Sequence, residues 1–128
     1  MGMSDLGFEW VEWPYARIRR ELDTEQGVVT RFVFQLEYNM QATADGLPPH
    51  DWREVARFDH DIDGEHNVTV EGLHLDIYRD GEKYRKLWGF PNLTANEAPD
   101  FCQTFLETRA DDLLDQFEAW HDVGREWR

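Results

Sequence analysis

The pair Asp80-Gly81 constrains the fold of this chain more than any other feature. Both positions accept positive φ, so together they make a two-residue hairpin turn. Before the pair, Leu73 to Arg79 alternates, with Leu73, Leu75 and Ile77 pointing one way and His74, Asp76 and Tyr78 the other. After it, Lys83 to Trp88 returns as the partner strand. The chain must therefore supply more strands and a cover for one sheet face.

Both are legible. Ala16, Ile18 and Leu22 alternate with Arg17, Arg19 and Glu21 as in a half-buried strand. Pro14, at a first helical position, leaves a helix as the alternative there. Asp23 to Gly27 is a turn, and Val28 to Tyr38 returns with Phe32, Phe34, Leu36 and Tyr38 on one face, completing a hairpin. Asp45-Gly46 and Pro48-Pro49 make Gln41 to His50 a loop. Trp52 to His60 is again extended, with Trp52, Ala56 and Phe58 expected on one face and Val55 and Arg57 on the other. Trp10, Trp13 and Tyr15 read as aromatic anchors for the N-terminal segment.

The period then lengthens. Thr94 and Glu97 have capping-box spacing, Asn96 competes as the cap, and Pro99 fits a first turn. Phe101, Phe105, Leu106, Leu113, Phe117 and Trp120 recur every three or four residues, predicting an amphipathic helix that ends at Gly124. A break near Thr108 to Ala110 is compatible with that spacing. Its other face carries Glu107, Asp111, Asp112, Asp115, Glu118 and Asp122. The expected fold is α+β in two layers, an antiparallel four- to five-stranded sheet packed by a C-terminal helix. A length of 128 residues suits a single domain, 1–128.

Charge narrows the function. Acidic residues number 27 against 13 basic ones, the lysines being only Lys83 and Lys86, for a net charge of -14. Such a balance disfavours ordinary nucleic-acid binding through phosphates and argues against DNA as a partner. It suits either a salt-rich source, where self-repulsion is screened within about 3 Å at 1 M, or an acidic surface that docks a basic partner or imitates the charge of a nucleic acid. Acids spread along the whole chain, and arginine used in place of lysine, favour the halophilic-type composition. No apolar run approaches a membrane span. The N-terminus lacks signal-peptide features, and the single Cys102 forms no internal disulfide, so a cytoplasmic location is expected.

One segment concentrates chemistry: Asp59-His60-Asp61-Ile62-Asp63-Gly64-Glu65-His66, followed by Glu71 and His74-Leu75-Asp76. If the flanking strands are neighbours, His60 or Asp59 faces His74 and Asp76 about 5 Å apart. His60, His66, His74 and Asp76 are the candidate proton-transfer groups or ligands, since histidine titrates near neutral pH and imidazole suits Zn, Mn, Ni or Fe. Arg57 or Arg79 is placed to hold phosphate. Asp59, Asp61, Asp63 and Gly64 also reproduce the first half of a calcium-binding EF-hand loop. Its twelfth position, however, is Val70, with Glu71 one residue late, and the flanks read as strands. The alternative is an Asp/Gly-rich turn with His60 and His74 facing outward from an exposed sheet. Arg17, Arg19, Arg20 and Arg31 would contact RNA, a phosphate or an acidic partner, or else pair with Glu12, Glu21 and Glu37. His50 and His121 are expected to face solvent, and Cys102 to be a small core residue. Phosphate loops, nucleophile elbows, His-Glu-x-x-His and dinucleotide fingerprints are absent from the sequence.

The stretch Arg57 to Arg79 resembles small sheet-plus-helix proteins of haloarchaea and actinobacteria, and is loosely similar to the TumE-like toxins of toxin–antitoxin pairs. The likeness covers about the last 75 residues. It implies a nuclease activity on RNA, an antitoxin-like protein partner, and His60, His66 and His74 as the matching positions. The chain differs in its acidity and in lacking a run of adjacent histidines. The contrasting expectation is a non-catalytic acidic interaction module that docks a protein partner through its helix or aromatic N-terminus.

Overall fold

A computed structural model describes residues 2–64 and 66–125; Glu65 of the acidic segment lies outside them. Six antiparallel strands lie side by side in sequence order: β1 (Gly2–Glu12), β2 (Ala16–Glu25), β3 (Val28–Asn39), β4 (Trp52–Asp61), β5 (Leu75–Arg79) and β6 (Glu82–Leu87). A single turn, α1 (Val68–Glu71), interrupts the β4–β5 connection, and α2 (Ala98–His121) packs on β3 and β4. The α+β architecture with a C-terminal helix is as expected.

The strand number is not. The sixth strand is β1, read from sequence only as aromatic anchors. It is an edge strand exposed along most of its length, and its pairing with β2, Phe8 opposite Arg19 and Trp10 opposite Arg17, makes it a strand. Leu6, Phe8 and Trp10 do alternate, but Gly2, Ser4, Asp5 and Gly7 dilute the β signal.

Both hairpin turns use positive φ. Gln26 and Gly27 turn β2 into β3, and Asp80 and Gly81, at φ 55° and 77°, turn β5 into β6. A register shift between β3 and β4 leaves Val55 as an extra residue. It carries Trp52 off the Ala56–Phe58 face predicted for it and onto the Arg57 face. There the Arg17 guanidinium lies between the Phe8 and Trp52 rings, at 4.1 and 3.9 Å.

The core lies between the sheet and α2. Phe32, Phe34, Leu36, Phe58, Leu75 and Ile77 face Ala98, Cys102, Leu106, Ala110, Leu114 and Phe117. The centre of the helix stripe is thus small and aliphatic, while the predicted Phe101, Phe105, Leu113 and Trp120 flank it, partly buried. Cys102 is the small core residue expected, and burial pushes its thiol far above the ordinary range. The helix runs unbroken past Thr108 to Ala110 and stops at His121, where Asp122 turns left-handed at φ 53°. Thr94 and Glu97 exchange the capping-box bonds, at 3.0 and 3.2 Å, just before the helix. Asn96 instead binds the β2–β3 hairpin through Val29 N–H and Gly27 C=O. His121 does not face solvent freely: it stacks on Phe117 at 4.1 Å and accepts the Asp80 N–H at 3.0 Å, pinning the β5–β6 turn to the helix end.

Candidate metal centre on the sheet face opposite the helix

Strand parity decides which predicted residues meet. Arg57 pairs with Asp76 across β4 and β5, so Asp59, two residues on in β4, and His74, two residues before Asp76 and just outside β5, share that face. The two strands pair only at Ala56–Ile77 and Arg57–Asp76 and are unpaired beyond. There the β4–β5 connection brings in His66. One ligand atom from each of Asp59, His66 and His74 lies within 4.8 Å of the others.

His60 has the opposite parity. It pairs with Phe32, stacks on its ring at 5.3 Å, and is 2% exposed. Its Nδ1 accepts the Val68 N–H at 3.1 Å, so the neutral ring carries its proton on Nε2. Burial lowers its pKa, against the opposing pull of Asp61 and Asp59. That bond ties α1 to β4, while Nε2 makes no hydrogen bond among the described residues and the ring borders the cleft described below. Neither His60 nor His74 is an outward residue on an exposed face; both are enclosed.

Around His74 the polar groups are tightly gathered. Its ring lies under Trp88 at 4.8 Å and beside His66 at 5.3 Å. Nε2 is 3.6 Å from Asp76 Oδ1, and Nδ1 is 3.6 Å from Glu71 Oε1, which also approaches His66 Nδ1 at 3.3 Å. Neither His74 nitrogen has a hydrogen bond among the described residues, and Asp59 Oδ1 and both Asp76 oxygens are equally without one. Burial raises the Asp76 pKa, but His74 and Lys83, the latter 3.4 Å away, outweigh it and hold the carboxyl below its ordinary value. Asp59, His66 and His74 are thus gathered beside buried polar atoms that make no hydrogen bond among the described residues.

The calcium-loop residues do not converge in this way. Asp61 Oδ1 accepts the Asp63 N–H at 3.0 Å as in an Asx turn, and Asp63 is exposed. Of the three, only Asp59 joins the histidines. Arg79 lies opposite Glu82 in the β5–β6 register, and its guanidinium reaches the rings of Tyr84 and Trp120, away from the centre. Arg57 Nε instead faces Asp59 Oδ2 at 3.2 Å. The remaining arginines are mostly paired: Arg17 with Glu37 at 2.8 Å, and Arg19 and Arg31 both with Glu21. Glu12 pairs with Arg125 instead of a strand arginine.

A family described as a domain of unknown function, DUF7718, matches residues 2–123. The chain belongs to that family. No curated protein and no solved structure matches it.

In this DUF7718 chain, a cleft of about 250 Å³ adjoins the centre, lined by Arg31, Arg57, Asp59, Asp61, Gly64 and His66 among others. Sequence reasoning named Arg31 as a phosphate contact on the first hairpin but not as a cleft residue, and it missed Trp88 as the lid of His74. Neither has a local signal: Arg31 enters by facing Asp61 across β3 and β4, and Trp88 by following β6. No helix among the described residues is long and apolar enough to cross a membrane.

Proposed function

We propose that this protein holds a divalent transition-metal ion at Asp59, His66 and His74 and uses it for hydrolysis. The observation that carries the reading is His74, 3% exposed and with neither ring nitrogen hydrogen-bonded, set within ligand distance of a second imidazole and a carboxylate. Two imidazoles and one carboxylate suit Zn, Mn, Ni or Fe better than calcium. Three protein ligands leave a position for water, the arrangement of hydrolytic sites, where the ion would supply a nucleophile near neutral pH. Asp76 Oδ1 stands 3.6 Å from His74 Nε2, without a hydrogen bond to it; closing that gap would orient the imidazole and fix its tautomer once Nδ1 ligates. The resemblance to TumE-like toxins makes RNA the first substrate to assay, with an antitoxin-like protein as the partner to seek.

Thermal melting in EDTA and then in Zn²⁺, Mn²⁺, Ni²⁺ and Ca²⁺ tests the centre. An ion that binds only the folded state adds about 2.7 kcal/mol at a hundredfold excess over its dissociation constant. The midpoint should rise by several degrees with one transition ion, and not in the His66→Ala/His74→Ala double variant. Absence of any shift would overturn the centre. It would leave the interaction-module reading, which the half-exposed Phe8, Trp10 and Trp13 favour.

A further inference from the structure

We infer that the cleft beside the centre is an anion site for a phosphoryl group, and that it binds that group only when the metal is in place. This inference rests on the metal-centre reading and adds the class of ligand.

Three observations carry it. The first is Arg57. Its Nε lies 3.2 Å from Asp59 Oδ2 as an ion pair without a hydrogen bond, and Asp59 Oδ1 is likewise without one. No side chain among the described residues bonds the two terminal guanidinium nitrogens, although Arg57 lines the cleft. A guanidinium with both terminal amino groups free presents the planar fork that fits phosphate oxygens. Arg31 enters the same cleft, anchored from behind by Glu21 at 3.1 Å.

The second is charge. The guanidiniums of Arg31 and Arg57 are matched by the carboxylates of Asp59 and Asp61, and histidines that ligate a metal are neutral. The described lining alone therefore has no net attraction for an anion. A divalent ion on Asp59, His66 and His74 adds two positive charges at one wall. Anion affinity is thereby coupled to metal occupancy, and by linkage the anion tightens the metal in turn.

The third is size. Pockets for whole drug-sized molecules begin at roughly 300 Å³, and this cleft, at about 250 Å³, is smaller. It accommodates a phosphoryl group with the rest of the ligand outside, not an enclosed nucleotide.

Isothermal titration with Co²⁺ and inorganic phosphate, in a phosphate-free buffer of fixed ionic strength, tests the coupling. Phosphate should bind the Co²⁺-loaded protein and be undetectable in EDTA. Arg57→Gln should weaken phosphate about tenfold or more, the loss expected for a charge-assisted pair. Arg57→Lys, which keeps the charge, should lose less, and Co²⁺ binding should survive in both variants. Co²⁺ binding with no phosphate response would overturn the anion site and leave the centre standing. Phosphate binding of equal strength in EDTA would overturn the coupling. Failure of the wild-type protein to bind Co²⁺ would overturn centre and anion site together.

Discussion

Arg125 is a charge whose side chain is fully buried among acids. The guanidinium reaches Glu12 at 2.7 Å, Asp115 at 2.9 Å and Glu118 at 3.1 Å. Glu118, read from sequence as part of the outward acidic face, is buried and also accepts the Tyr38 hydroxyl at 2.9 Å. One residue thus joins the start of the chain, the helix and the core strand β3. Replacing it with methionine strands Glu118, and breaking a buried pair from one side costs about 3–5 kcal/mol. Arg109, exposed and 4.0 Å from Asp112, should cost no more than about 1 kcal/mol on the same replacement. Urea unfolding of the two variants checks this, and equal losses would contradict the hub.

At the scale of elements, α2 lies on the sheet through small and aliphatic residues at its centre, with aromatics along its sides. Leu106 is wholly buried, so Leu106→Ala should cost about 2–5 kcal/mol. Ala110→Leu tests the complementary point, that room over the sheet is limited there, and should cost about 1–3 kcal/mol by overpacking. Denaturant midpoints decide between the two geometries: a neutral or stabilising Ala110→Leu would mean that the layer is loosely packed. The aromatic spacing made the helix legible, but not which of its residues face inward. A helix can rotate by tens of degrees and still satisfy a three- and four-residue period. Only contact with β3 and β4 selected the Ala98–Cys102–Leu106–Ala110–Leu114 line. The strands were read more closely because their period is two and a slip of one residue exposes every core side chain. The exceptions are instructive. The extra Val55 reversed the face of Trp52, and β1, an edge with little buried surface, gave no strong pattern to read.

For the whole molecule, a net charge of -14 on 128 residues sets a repulsive background. Many of the arginines are drawn to the sheet face opposite the helix, where Arg17, Arg19, Arg31 and Arg57 each meet a carboxylate. The outer helix face keeps Asp111, Asp112 and Asp115 exposed. Sodium chloride raised from low concentration to about 1 M, where the screening length is near 3 Å, should therefore raise the melting temperature. A flat or falling midpoint would show that the pairs on the sheet face already offset the repulsion.

The sequence by itself determined the α+β class, the two hairpins, the closing helix and the segment in which the candidate site lies. Those depend on periodicity, turn chemistry and composition, all of which act over a few neighbouring residues. Tertiary structure alone decided the membership of the site. His60 and Asp59 are adjacent in sequence, yet strand parity sends one into the core and the other to the centre. His66 arrives on a connection whose path no local rule specifies, and His74, one residue outside β5, is enclosed because Trp88 and His66 close over it. Which charges become buried, and therefore which need a partner, follows from packing between segments far apart in the chain.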